Sequence, residues 1–168
     1  SKLTYQEKRW PYLKEFIQTL TRNLKNDIIL YGEKNDEHIA NDVLASCLLP
    51  HRIQNKVGSY TLVELVEELS KLDVFISIDS GPAHLASVVM TSPFQKVIVL
   101  FGPTDPKIWA PRPIGQAQVQ VLYENVSCSP CYKNDGLFKP CQFEGEQFQQ
   151  CMKLISPDKV MEALKDCV

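Results

Sequence analysis

The residues able to do chemistry gather in a few short stretches. Asp79-Ser80-Gly81-Pro82-Ala83-His84 directly follows the apolar run Val74–Ile78 and opens a segment that carries Leu85, Val88 and Val89 at helical spacing. A strand that turns into a helix in this way offers backbone N–H groups and the positive end of the helix dipole, a seat for an anion and most naturally for a diphosphate. Gly81 lets a ligand approach the backbone, Ser80 adds a hydroxyl, and the amides of Ala83, His84 and Leu85 are expected to point out of the first turn. Asp79 repels phosphate but can accept hydrogen bonds from sugar hydroxyls beside it. Read more plainly, Asp79 or Ser80 is a helix cap and His84 a structural side chain, and the hexapeptide by itself leaves both readings open.

Three other stretches stand out. Phe101-Gly102-Pro103-Thr104-Asp105-Pro106 again follows a strand, and its prolines stiffen a turn that displays Thr104 and Asp105. In isolation it also reads as a rigid turn only. Lys8-Arg9 lies close to the start of a helix, where cations oppose the macrodipole, so an anionic partner or plain solvation must compensate them. Cys128-x2-Cys131-x9-Cys141-x9-Cys151 sets four thiols within 24 positions. The Cys-x2-Cys pair can share a metal ion, while the second pair is wider than in a common zinc ribbon. The cluster is either a tetrahedral four-thiolate site for a structural zinc or iron, or a set of reduced cysteines packing an extended tail. Cytoplasmic glutathione disfavours disulfides. Cys47 and Cys167 fall on apolar helical faces and read as core.

The elements that must carry these residues follow from periodicity. Leu13, Phe16, Ile17, Leu20 and Leu24 predict a helix entered at Pro11, and Ile28-Ile29-Leu30-Tyr31 predicts a strand buried on both faces and ended by Gly32. A second helix from about Asp36 packs Ile39, Val43, Leu44 and Cys47, and an irregular stretch over 50–59 has room for one short strand. Thr61-Leu62-Val63-Glu64 is a capping box for a third helix with the core stripe Leu62, Leu65, Val66, Leu69 and Leu72. Strands at Val74–Ile78, Lys96–Phe101 and 119–123, a helix from Pro82, and a last helix from Ser156 and Pro157 through Val160, Met161 and Leu164 complete the pattern. Alternating strands and helices with near-continuous apolar strands predict a doubly wound α/β fold with a parallel sheet.

Composition bounds the rest. The 168 residues suit one domain, divided into an α/β core over 1–126, a cysteine-containing segment over 127–152 and a terminal helix over 153–168. With 44% hydrophobic and 23% charged residues, long disorder is excluded, and a net charge of -2 gives no basic excess for gripping nucleic acid. No apolar run approaches the ~18 residues of a membrane span. No charged-then-apolar leader follows Ser1, so the expectation is a cytoplasmic protein, and a chain that starts without methionine reads as a fragment.

Taken in order, Lys8-Arg9-Trp10-Pro11, the strand closed by Gly32 with its acidic loop, Thr61-Leu62, Asp79-Ser80-Gly81-Pro82-Ala83-His84-Leu85-Ala86, Phe101-Gly102-Pro103-Thr104-Asp105-Pro106 and the cysteine tail resemble glycosyltransferase family 9. That is the family of the ADP-heptose:lipopolysaccharide heptosyltransferases. The resemblance implies the two-domain GT-B architecture, of which this chain is the C-terminal, donor-binding half, lacking the first strand expected ahead of Lys8. It implies that Lys8 contacts the diphosphate, Asp36 or Glu37 the ribose or adenine side, Asp79 the donor sugar, and Ser80, Gly81 and His84 the phosphates, with Thr104 and Asp105 completing the donor set. The carboxylate that activates the acceptor is expected in the N-terminal half, so no catalytic residue is assigned here. The implied reaction is inverting and needs no cofactor for transfer. Its donor is an ADP-sugar and its acceptor lipopolysaccharide core, with work at the inner face of the inner membrane and at most peripheral association with it. The sequence departs from the family at 90–95, which is longer than the usual turn, and at Tyr60, where a smaller residue is common, so the base and sugar are left open. Negative charge builds on the departing diphosphate during such a transfer, and cations or N–H donors aimed at it lower the barrier. Two other classes compete: a non-catalytic binding or assembly module with a four-cysteine metal site, and a nucleic-acid-binding metal module, which the net charge opposes.

Overall fold

The computed structural model describes residues 6–132 and 140–165. The chain divides into two compact units, one of residues 12–65 and one of residues 1–11 with 66–167. Cys167 lies outside the described residues.

In the 12–65 unit, α1 (Leu13–Asn23), β1 (Ile28–Leu30), α2 (Glu37–Ser46) and β2 (Ile53–Asn55) follow the predicted order. α1 starts at Leu13 rather than at Pro11, and buries Phe16, Ile17 and Leu20 as their three- and four-residue spacing requires. α2 contributes Ala40 and Val43 to the same core, and Thr21 Oγ1 stands 3.6 Å from the Cys47 sulfur. β1 pairs in parallel with β2, Ile28 opposite Ile53. It is half-buried rather than buried on both faces, because it belongs to a sheet of only two strands. Arg52 secures the unit by donating to the carbonyls of Thr21 (2.5 Å) and Asn26 (3.0 Å).

α3 (Leu62–Leu69) opens on the expected capping box. Thr61 N–H donates to Glu64 Oε2 at 2.7 Å and Glu64 N–H to Thr61 Oγ1 at 3.4 Å. The backbone bond to the carboxylate foremost, and then the one the Thr61 hydroxyl donates to Glu64 Oε2 at 2.8 Å, hold the Glu64 carboxyl below its ordinary range. Leu69 is fully buried, but Leu62, expected in the core stripe, is 66% exposed. Periodicity marks the face that can be buried, not how far along it a packing partner reaches.

The other unit is built on a parallel sheet of β3 (Val74–Ile78), β4 (Lys96–Phe101) and β5 (Gln118–Tyr123), with Ile76 opposite Ile98 and Ile98 opposite Gln120. β4 is central and all six of its residues are buried. α4 (Gly81–Val89) packs on β3 and β4 through Ala83, Ala86 and Ser87. Sequence pointed instead to Leu85, Val88 and Val89, yet Val88 is 42% exposed. Small residues let the helix come close to the sheet, and the larger ones are displaced to its flanks.

α5 (Pro106–Trp109), α6 (Gln150–Lys153) and α7 (Pro157–Leu164) complete the unit, and Ser156 caps α7 by accepting from Lys159 N–H. The short N-terminal segment is tied to the C-terminal helices: Trp10 Nε1 donates to Ile155 O at 2.7 Å, and the Gln149 amide donates to Gln6 O and Arg9 O. No helix among the described residues is long and apolar enough to cross a membrane.

Candidate functional site

The end of β3 delivers the chain into the 79–84 turn. Asp79 N–H donates to Leu100 O at 3.1 Å, which fixes the turn beside the end of β4. The Asp79 side chain is largely buried and paired: Lys8 Nζ lies 2.8 Å from its Oδ2 and 3.2 Å from its carbonyl oxygen. His84 Nε2 is 4.0 Å from the other carboxylate oxygen. The Lys8 ammonium also sits 5.6 Å from the centroid of the Tyr132 ring, within cation–π range. Lys8, 71 positions away in sequence, is therefore brought to the turn that holds Asp79, Ser80, Gly81 and His84.

The detail differs from the sequence reading at two points. Ala83 N–H donates to Ser80 O at 3.1 Å, so that amide is occupied within the turn rather than pointed outward. Ser80 is the residue before α4 and does not cap it; its hydroxyl is 3.0 Å from Ser77 Oγ. The cap reading is thus absent here, and the helix N-terminus keeps its partial positive charge uncompensated by a capping side chain. A Cβ built on Gly81 meets nothing within 4 Å, so the space beside that backbone is open. An ammonium, a helix N-terminus, open space at a glycine and a buried carboxylate together suit an anion with hydroxyls adjacent to it.

The second loop is braced by its own hydrogen bonds. Asp105 caps α5, its Oδ1 accepting Lys107 N–H at 2.9 Å, so the carboxylate expected for the donor is engaged in the helix. Thr104 is 5% exposed and its hydroxyl has no hydrogen-bond partner among the described residues. Pro103 O accepts the N–H groups of Cys131 and Tyr132, both at 2.9 Å, and Ser129 Oγ donates to Gly102 O at 2.5 Å. The cysteine segment is thereby stitched to the loop that follows β4.

Asp36 and Glu37 lie in the 12–65 unit, where Asp36 Oδ2 accepts Glu33 N–H at 3.2 Å and Glu37 is exposed at the start of α2. Tyr60, flagged as unusually large, stands with its ring centroid 5.9 Å from that of Tyr31.

Cys128, Cys131, Cys141 and Cys151 all line one cavity of about 350 Å³, together with Glu7 and Gln149. All four are free thiols. Burial first, and then the neighbouring thiols, push the Cys131 thiol up and raise Cys151 to about 11. Glu7 accepts Cys141 N–H through Oε1 at 3.4 Å, while its buried Oε2 has no hydrogen-bond partner among the described residues. Among the described residues no three His, Cys, Asp or Glu side chains stand close enough to hold a metal ion. The cluster expected from spacing is therefore a shared cavity and not a formed tetrahedron.

Sequence reasoning missed Tyr132 and Glu7. The only local signals were an aromatic residue directly after the Cys-x2-Cys pair and a carboxylate directly before Lys8.

Comparison with known proteins identifies the family. Residues 2–142 match the model of glycosyltransferase family 9 (heptosyltransferase). The chain is 26% identical over 161 residues to lipooligosaccharide heptosyltransferase 2 of Campylobacter jejuni subsp. jejuni serotype O:2, covering 95% of this chain and 46% of that protein. It is 34% identical over 79 residues to lipopolysaccharide heptosyltransferase 3 of Escherichia coli, covering 47% of this chain and 22% of that one. In fold it resembles E. coli ADP-heptose lps heptosyltransferase II, with a TM-score of 0.70, 22% identity, and coverage of 96% of this chain and 42% of that one. A family 9 glycosyl transferase from Veillonella parvula DSM 2008 gives 0.69 at 20% identity, with the same coverage. The chain spans less than half the length of the first curated relative.

Proposed function

This chain belongs to glycosyltransferase family 9 (heptosyltransferase), and on that premise we propose that it is the donor-binding half of an inverting heptosyltransferase. The donor is an ADP-heptose or a similar nucleotide sugar, and the acceptor is a lipopolysaccharide core bound by the N-terminal half of the protein. The observation that carries the reading is Lys8 Nζ, held 2.8 Å from Asp79 Oδ2 at the N-terminus of α4 beside the open face of Gly81. The ammonium and the helix dipole receive the diphosphate and stabilise the charge that grows on it as the sugar departs. Asp79 keeps its second oxygen for a hydroxyl of the donor sugar, and Ser80 and His84 flank the phosphates. Asp36 or Glu37 serves the nucleoside. Thr104 and Asp105 complete the donor set from the second loop, Asp105 through the oxygen its cap leaves available.

Titration calorimetry with ADP, followed by amide NMR, tests the assignment. Shifts should concentrate at Gly81, Ala83, His84 and the neighbourhood of Lys8, and binding should weaken as salt rises. Shifts scattered elsewhere would overturn the site. Absence of binding to any nucleoside diphosphate would favour the assembly-module reading.

A structural zinc or iron in the thiol cavity is a second proposal, supported by the unpaired buried Glu7 oxygen and by thiols close enough to oppose one another's ionisation. Ligation would draw the cavity walls inward and release the thiol protons. Elemental analysis of protein purified without chelator tests it. One equivalent lost in both Cys128→Ser and Cys151→Ser supports a shared site, and protein free of both metals leaves the cysteines as packing.

A further inference from the structure

We propose that Tyr132 is a positioning residue for Lys8: its ring holds the ammonium in the 79–84 turn, so that the diphosphate of a bound donor meets a cation already in place. This rests on the donor-site reading above and adds a residue to it. A lysine carries four methylene groups, and an unrestrained ammonium surrenders much rotamer freedom when it is fixed on a phosphate. Here the cost is met before the ligand arrives. Lys8 is bounded by the Asp79 carboxylate at 2.8 Å, the Asp79 carbonyl at 3.2 Å and the Tyr132 ring face at 5.6 Å, and its side chain is 18% exposed.

The backbone that carries the ring is itself held in place. Tyr132 N–H and Cys131 N–H both donate to Pro103 O at 2.9 Å, and Ser129 Oγ donates to Gly102 O at 2.5 Å. Pro103 follows β4, and Asp79 follows β3, its neighbour in the sheet. The ring, borne by the segment after β5 but anchored to the loop that follows β4, and the carboxylate at the end of β3 thus meet with the lysine between them. An aromatic face suits this task better than a second carboxylate. It attracts the cation without adding a formal charge that would repel the diphosphate. The cysteine segment acquires a role that does not depend on metal: it carries the ring to Lys8.

The test is ADP affinity by calorimetry, with adenosine as a ligand that lacks phosphate. Tyr132→Phe should bind ADP as the parent does. Tyr132→Leu should bind about three- to tenfold more weakly, the scale of one partly shielded cation–π contact, while adenosine affinity stays unchanged. In a Lys8→Met background Tyr132→Leu should change nothing, which a merely structural role would not produce. Should the Leu variant fail to fold, progressively fluorinated phenylalanines at 132 keep the ring's shape while draining its face of electron density. Affinity for ADP should then fall stepwise. A flat response to fluorination, or additive losses in the double variant, would overturn the role of Tyr132. A parent chain that binds no ADP would overturn the donor site itself.

Discussion

A methyl group added at either of two glycines separates binding from stability. At Gly81 a Cβ meets nothing within 4 Å and the residue opens a helix, so Gly81→Ala should leave the thermal midpoint unchanged or raise it, stabilising by up to about 1 kcal/mol. The same methyl occupies the space proposed for the diphosphate, so ADP affinity should drop by about tenfold or more. At Gly102 a Cβ would lie 2.7 Å from Cγ of the fully buried Met152 and 3.3 Å from the Cys151 sulfur. Gly102→Ala should therefore destabilise by about 1–3 kcal/mol, seen as a lower denaturation midpoint. Asp79→Ala removes the sugar partner and at the same time the carboxylate paired with Lys8. Affinity for the nucleotide sugar should fall more than affinity for ADP, because losing a negative charge beside the phosphates offsets part of the ADP loss. In an enzyme with both halves, the lost transition-state stabilisation should be on the order of 2–4 kcal/mol. Equal effects on the two ligands, compared by calorimetry, would refute the sugar assignment.

Among the elements, β4 and α7 are joined by a buried cation. Lys96 is 4% exposed, and its ammonium donates to Ala163 O at 2.8 Å in the last turn of α7, where the helix dipole favours positive charge. Lys96→Met keeps the apolar stem and forfeits this bond. A net loss of about 1 kcal/mol and a midpoint lower by about 2–4 °C are expected in thermal unfolding. The thiol cavity, next to α6, imposes a pH dependence. Cys151 is raised from an ordinary 9.0 to about 11 by burial and then by its neighbours, and Cys131 moves in the same direction. A folded-state value above the unfolded one means that this stability is complete below the unfolded value and is lost as pH climbs through the folded one. Stability should accordingly fall between about pH 9 and about pH 11, read as lower urea midpoints, by at most about 1.4 kcal/mol per pH unit for the Cys151 thiol. Cys151→Ala should flatten that slope.

At the scale of the molecule, the family and the span of the chain carry the last prediction. These residues should bind an ADP-sugar and transfer nothing to a lipid A-core acceptor. Transfer should return when the N-terminal half is joined in one chain, because the reaction centre of the implied two-domain enzyme lies between its halves and closure excludes water. Robust transfer by the 168 residues alone would place the acceptor base among Asp79, His84 and Asp105. Much of the fold was legible in advance for a local reason. The apolar run of β4, the Thr61–Glu64 capping box, the Ser156-Pro157 start of α7 and the strand-to-helix turn at Asp79 are each encoded within a few neighbouring residues, and all four stand where expected. What could not be read was long-range. Lys8 meets Asp79 across 71 positions and Trp10 meets Ile155 across 145. Neither Tyr132 at Lys8 nor Lys96 at the end of α7 leaves a periodic trace. The sequence by itself determined which faces could be apolar and which turns could hold an anion, since those depend on backbone geometry and side-chain period. Only the tertiary structure decided that α4 packs through alanines, that Asp105 is a cap and that an aromatic ring stands beside the lysine. Those outcomes depend on which surfaces meet, and a linear pattern does not specify the meeting.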